Sequence, residues 1–283
     1  MKAKRRTIKN EFIIEGKGIH KGLNNLLIVR PRIEGKGIIF INTNTGEFVE
    51  ASIGNVSNLE RGTSVSNGKF SVSTIEHLLS AFMAFDIDDV EIEITGDEIP
   101  ILDGSAKTFS DMIFKSGVVD KNEDVDEFYG FENFIFVNGE SFYKVEKSDS
   151  FKIECLYEHD HPMVGRQLIE FDINIDNYVK EIAPARTFGF DWEIEYLKSR
   201  NLALGGSLEN AIVLSKDSML NTKPLRFKDE FVRHKMLDLL GDLKLLGMRF
   251  FNIKITAYRP SHKANYEFCK LIMARRDFYG KAQ

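Results

Sequence analysis

Cysteine is nearly absent from this 283-residue chain: Cys155 and Cys269 stand far apart, each in an apolar run. No C-x-x-C pair exists, which excludes a thiolate zinc finger. Two isolated thiols fit a reducing compartment, and the cytoplasm is the expected location. Long apolar runs are also missing. No window approaches the roughly 18 uninterrupted apolar residues of a membrane span, so no transmembrane segment is expected. The basic cluster Lys2, Lys4, Arg5 and Arg6 has no apolar stretch after it and does not read as a signal peptide. It reads as a solvated, frayed terminus. A large excess of one charge is absent as well. The formal net charge of −5 gives no reason to expect nucleic acid as a partner.

What is present is an ordinary globular composition, 43% hydrophobic and 29% charged, well away from disorder. The length admits one large domain or two of about 100–150 residues. The first third reads as short strands around Leu26 and Ile28 and from Gly37 to Ile41. The stretch from Asp88 to Thr95 alternates apolar and acidic residues with the period of a half-buried strand. Helices are expected near 74–84 and 106–115. The charged run from Asp120 to Glu127 lacks apolar periodicity and suits a linker, giving domains 1–119 and 129–283 about a linker at 120–128.

The second half repeats the same element types. A hairpin spans Phe134 to Val145 with a tight primed turn at Asn138-Gly139. Strands near 153–157, 168–173, 211–214 and 251–258 follow, with helices near 192–199, 230–246 and 262–274. No repeat of fixed period is visible. The expected fold class is α+β: two domains of similar plan packed face to face.

Three of the six histidines sit in informative contexts. In Arg233-His234-Lys235-Met236-Leu237-Asp238-Leu239-Leu240-Gly241-Asp242, the residues His234, Asp238 and Asp242 are spaced by four and share one helix face. His and Asp at i and i+4 can give one Zn²⁺ a nitrogen and an oxygen ligand; the alternative is a plain His–Asp contact. In Ser73-Thr74-Ile75-Glu76-His77, the pair Ser73 and Glu76 matches a capping box. The sharper reading makes His77 a ligand and Glu76 the general base beside it. The second histidine of the short metalloprotease pattern is missing, so further ligands must come from far along the chain. His262, after Arg259-Pro260-Ser261, opens a helix just past a strand, a position that also suits a solvated loop histidine.

Taken together, these segments resemble the UDP-3-O-acyl-N-acetylglucosamine deacetylases of lipid A synthesis in Gram-negative bacteria. The resemblance runs through Gly18-Ile19-His20, Ser73 to Ser80, Glu98-Ile99-Pro100-Ile101-Leu102-Asp103-Gly104-Ser105, Gly165-Arg166-Gln167, Ala185-Arg186-Thr187-Phe188, Gly205 to Asn210, Arg233 to Leu243, and His262. It implies two βααβ-type domains, each with an insert, and a site between them. It implies His77, His234 and Asp238 as zinc ligands, Glu76 as general base, and His262 as general acid or cationic stabiliser with Asp242 as its carboxylate partner. Thr187 would support the oxyanion and Lys235 would contact substrate. An insert at about 188–213, including Phe188, Ile194 and Ala211, would hold the 3-O-acyl chain; the plainer alternative is that these residues pack as core. The implied reaction is hydrolysis of the N-acetyl group of a small-molecule substrate, UDP-3-O-acyl-GlcNAc, by a monomer. A zinc amidohydrolase for another N-acetyl sugar and a non-catalytic UDP-lipid-sugar binder are the competing readings. Two departures stand out: Ser261 replaces the family's usual Gly before His262, and Asn55 to Ser66 matches less well.

Overall fold

The computed structural model describes residues 2–129 and 132–280. Strand β1 (Lys4–Ile8) opens the chain. A five-stranded sheet then uses β2 (Phe12–Lys17), β3 (Asn24–Pro31), β4 (Ile38–Asn42) and β5 (Phe48–Glu50). A small three-stranded sheet, β6 (Val56–Asn58), β7 (Ser64–Ser66) and β8 (Ser71–Val72), is inserted before helix α1 (Glu76–Ala84). Strand β9 (Val90–Ile94) returns to the centre of the five-stranded sheet. Helix α2 (Lys107–Ser116) and β10 (Val118–Asp124) complete this half.

The second half follows the same plan. After β11 (Asp126–Tyr129) come β12 (Phe134–Asn138), β13 (Ser141–Lys147), β14 (Lys152–His159) and β15 (Gly165–Asp172). An insert follows, with the short α3 (Ile175–Asn177), β16 (Phe188–Phe190), α4 (Ile194–Ser199) and β17 (Ile212–Leu214). Then come α5 (Glu230–Lys244), β18 (Met248–Phe251), β19 (Ile253–Tyr258) and α6 (His262–Gly280). The sheet orders are β2-β3-β9-β4-β5 and β12-β13-β19-β14-β15. In both, the third strand is antiparallel to its predecessor and parallel to its successor. The two halves therefore share one topology, and the α+β architecture expected from the sequence is the one observed. The common plan leaves no sequence repeat because it is carried by alternating burial, as in β9 and β13, rather than by particular residues.

The hairpin at 134–147 is present, one residue displaced. Asn138 pairs with Ser141, so the two-residue loop is Gly139-Glu140, with Gly139 at φ 59°. Positive φ at the first central position is what a primed turn requires and what glycine supplies without strain.

Two expectations at the junction need correction. The charged run 120–127 is paired strand: β10 lies against β1, and β11 runs parallel to β18. The basic start is not frayed, because Arg5 is buried and grips Asp89 through Nε at 2.9 Å and a terminal nitrogen at 2.5 Å. Lys121, half-buried as a residue but with a side chain only 6% exposed, reaches the same carboxylate at 3.0 Å. Here the inward-facing positions of a strand carry charges neutralised by a buried aspartate, so a search for apolar alternation misses them. The chain passes from the first half's pairings to the second's at Val125.

Helices α1 and α5 pack against each other, and α5 also lies on β14 and β15 of the second sheet. Every residue of α1 is buried. It ends in a Schellman-type turn: Ile87 N–H reaches Phe82 O, Asp86 N–H reaches Met83 O, and Asp86 takes φ 57°. Gly241 sets the crossing. A Cβ there would lie 2.1 Å from the Glu76 carbonyl oxygen, so the missing side chain lets the start of α1 approach the α5 backbone. A mid-helix glycine costs about 1 kcal/mol relative to alanine; here it brings Glu76 and His77 against the face that carries His234, Asp238 and Asp242.

Candidate active site

His77 from α1 and His234 and Asp238 from α5 converge in the interior. One ligand atom from each lies within 4.8 Å of the others, and all three residues are buried. His234 Nε2 is 3.4 Å and His77 Nε2 3.9 Å from Asp238 Oδ1, with the two imidazole rings edge to face at 5.0 Å between centroids. His234 Nδ1 donates to Ala185 O at 3.1 Å, which leaves its Nε2 lone pair directed at the cluster. Ala185 is held by its neighbour: Arg186 forms a buried bidentate pair with Glu230 at 2.8 and 3.0 Å.

Burial and the neighbouring His234 push His77 down to about 3, and burial also lowers His234, so both imidazoles are neutral and able to ligate. Burial works against the Asp238 carboxylate, but the cations that face it, Lys235 at 2.9 Å and the His262 imidazolium at 4.0 Å, hold it well below the usual range. Two neutral nitrogens and one carboxylate are a donor set for a catalytic divalent metal, which keeps a fourth position open. His77 Nδ1 is buried without a hydrogen-bond partner among the described residues, so the ring is not consumed by an alternative structural bond.

The capping-box alternative for Glu76 fails. Helix α1 has no side-chain cap, Ser73 N–H donates to Asp97 O, and Glu76 Oε2 instead accepts from Thr63 N–H at 2.9 Å. Burial, with Asp238 and Asp242 nearby, raises Glu76 to about 7 even against His262, a value suited to a general base near neutrality. His262 opens α6, and its Nε2 lies 4.0 Å from both Glu76 Oε1 and Asp238 Oδ2. Its Nδ1 lies 3.1 Å from Asp242 Oδ2. Burial would lower this imidazole, yet Asp242, Asp238 and Glu76 outweigh it and raise it to about 9. Ser261 caps α6, its hydroxyl accepting from Ala264 N–H at 3.3 Å.

Glu76 and His77 line a cavity of about 430 Å³ whose walls also include Thr187, Phe188, Ile194 and Ala211. Strands β16 and β17 pair in parallel; Phe188 opens β16, Thr187 and Ala211 stand just before the two strands, and Ile194 begins α4. Lys235 is not among the lining residues. Its Nζ bonds Asp238 Oδ2 at 2.9 Å and sits 5.3 Å from the centre of the Phe188 ring.

Such a pocket, joined to a buried N,N,O donor set and a flanking carboxylate, has the make-up of a metallohydrolase site. The family model for UDP-3-O-acyl N-acetylglycosamine deacetylase matches residues 5–274. The chain belongs to that family. A relative from Nautilia profundicola is 41% identical over 276 residues, covering 97% of this chain and 94% of its own. Relatives from Helicobacter hepaticus and Campylobacter fetus are each 37% identical, covering 98% and 99% of this chain and 92% and 99% of theirs. All three carry the name UDP-3-O-acyl-N-acetylglucosamine deacetylase.

For a member of this family, the sequence left one neighbour unassigned. Thr63, from the poorly matching stretch, stands against Glu76 through its backbone and 2.6 Å from Asp242 Oδ1 through its hydroxyl. No motif marks it, because its partners lie 13 and 179 positions away. Arg61, two residues earlier, lines the cavity and forms a two-pronged pair with Glu193 of the insert at 3.1 and 2.6 Å.

Proposed function

We propose that the chain hydrolyses the N-acetyl group of UDP-3-O-acyl-N-acetylglucosamine, releasing acetate and the 2-amino sugar nucleotide, a step of lipid A biosynthesis. The observation that carries this reading is the buried His77, His234 and Asp238 set, with Glu76 beside it, opening onto a largely apolar cavity that Glu76 and His77 line. Zn²⁺ held by His77, His234 and Asp238 would polarise the amide carbonyl and acidify the attacking water.

Glu76, near neutrality in its proton affinity, takes the proton of that water. Thr187 supplies a hydroxyl toward the oxyanion as the carbonyl carbon becomes tetrahedral. The His262 imidazolium, kept charged by Asp242, gives its Nε2 proton to the departing amine. Lys235, held on Asp238 and 5.3 Å from the centre of the Phe188 ring that lines the cavity, is the cation assigned to the substrate in this reading. Phe188, Ile194 and Ala211 line the passage for the acyl chain, and each methylene they withdraw from water contributes up to about 0.8 kcal/mol. No helix among the described residues is long and apolar enough to cross a membrane. A cytoplasmic location and a monomeric state belong to the proposal through the family resemblance.

The test is acetate release from the acylated UDP-sugar by the purified zinc-loaded protein. Glu76→Gln should lower kcat by about 10²–10⁴-fold with little change in KM. No turnover by the wild type, or equal turnover of the unacylated sugar nucleotide, rejects the reading.

A further inference from the structure

Thr63 lies just before β7 and touches both proton-transfer groups. Its backbone N–H donates to Glu76 Oε2 at 2.9 Å. Its hydroxyl donates to Asp242 Oδ1 at 2.6 Å, and the same oxygen lies 3.2 Å from His262 Nδ1. His262 Nδ1 is 3.1 Å from the other Asp242 oxygen. A hydroxyl has one proton to give and two lone pairs to accept with, so these contacts have one consistent assignment. His262 Nδ1–H is shared between Asp242 Oδ2 and Thr63 Oγ1, and Thr63 O–H closes the ring onto Asp242 Oδ1.

Asn265 fixes the ring from behind, with Nδ2 donating to Asp242 Oδ2 at 2.8 Å and Oδ1 accepting from Tyr143 at 2.5 Å. Every oxygen of the ring is then satisfied in the buried interior, and the imidazole has one orientation, with Nε2 toward Glu76 and Asp238. Without Thr63 the Asp242 carboxylate loses a donor, and the imidazole can swing about its single remaining contact.

We propose that Thr63 is a positioning residue for the hydrolysis. Its backbone holds the general base and its hydroxyl holds the general acid, so one residue sets the distance between them. This rests on the deacetylase reading given above. Thr63→Val keeps the shape and the backbone N–H but removes the hydroxyl; Thr63→Ser restores it. Thr63→Ala serves as a second hydroxyl-free variant if valine prevents folding.

With acylated UDP-N-acetylglucosamine as substrate, Thr63→Val should lose between about tenfold and a hundredfold in kcat, the range expected for a misplaced catalytic group. KM and bound zinc should stay at wild-type values, and Thr63→Ser should recover most of kcat. Independently of turnover, the His262 Nδ1–H proton resonance, assigned by its loss in His262→Gln, should move in Thr63→Val and return in Thr63→Ser. Unchanged kcat and an unmoved resonance in Thr63→Val would overturn the proposal. So would a loss confined to KM or to metal content, or a serine variant no better than valine. A wild type that releases no acetate rejects the deacetylase reading, and the resonance then decides the role of Thr63 alone.

Discussion

Asp242→Asn isolates the electrostatic half of the site. His262 rises from 6.5 to about 9 despite its burial, and Asp242 is the largest contributor in that direction. At 1.36 kcal/mol per pH unit, the rise corresponds to about 3 kcal/mol in favour of the imidazolium. A unit charge pair 4 Å apart near a protein surface is worth about 4 kcal/mol, so Asp242 supplies a large part of a rise to which Asp238 and Glu76 also contribute against burial. A dication beside Asp238 would weaken that residue's hold on His262, but Asp242 faces Nδ1 from the opposite side and remains the main partner.

The variant is nearly isosteric. Its carbonyl can still accept from His262 and Asn265, and its amide can donate to the Thr63 oxygen. Because the folded value lies above the ordinary one, the cation persists below about pH 9 and is lost above it. Removing the charge should move the basic limb of kcat/KM down by about two pH units. At pH 8 activity should fall by about tenfold from this cause, whereas near pH 6 the two proteins should be much closer. The assay is the pH dependence of acetate release under kcat/KM conditions. A basic limb that stays in place in Asp242→Asn refutes the pairing.

His234→Ala should bind less than the roughly one zinc equivalent expected of a three-ligand site, as read by elemental analysis after dialysis; full retention places the metal elsewhere. Gly241→Ala would set a methyl 2.1 Å from the Glu76 carbonyl oxygen. That overpacking should cost about 1–3 kcal/mol, more than the better helix propensity returns, and a melting temperature at or above wild type would contradict the helix crossing. Ala211→Trp, which narrows the cavity lined by Phe188 and Ile194, should penalise long acyl chains more than short ones. A kcat/KM series over chain length with equal losses throughout would remove Ala211 from the acyl passage.

Much of the fold was legible because its elements obey local rules. The strand at 90–94 alternates burial as its sequence alternates apolar and acidic residues. The spacing of His234, Asp238 and Asp242 put them on one helix face without reference to any partner, and α5 carries all three buried. The charged segments were not legible for the opposite reason. The Arg5 and Lys121 side chains are buried only because Asp89, 84 and 32 positions away, is there to neutralise them. A strand whose inward residues are cations looks solvated until its counter-ion is placed.

The same asymmetry separates the ligands from Thr63. A metal site draws on His, Asp and Glu, residue types rare enough in apolar helices to be noticed in sequence. Orienting a catalytic imidazole needs only a hydroxyl and a backbone N–H, and every threonine offers both. Thr63 becomes visible once Gly241 lets α1 press Glu76 against α5, because that single close approach brings Glu76, His262 and Asp242 within reach of one residue's backbone and hydroxyl. Residues that bind can thus be recognised by type, whereas residues that orient are recognised only by position.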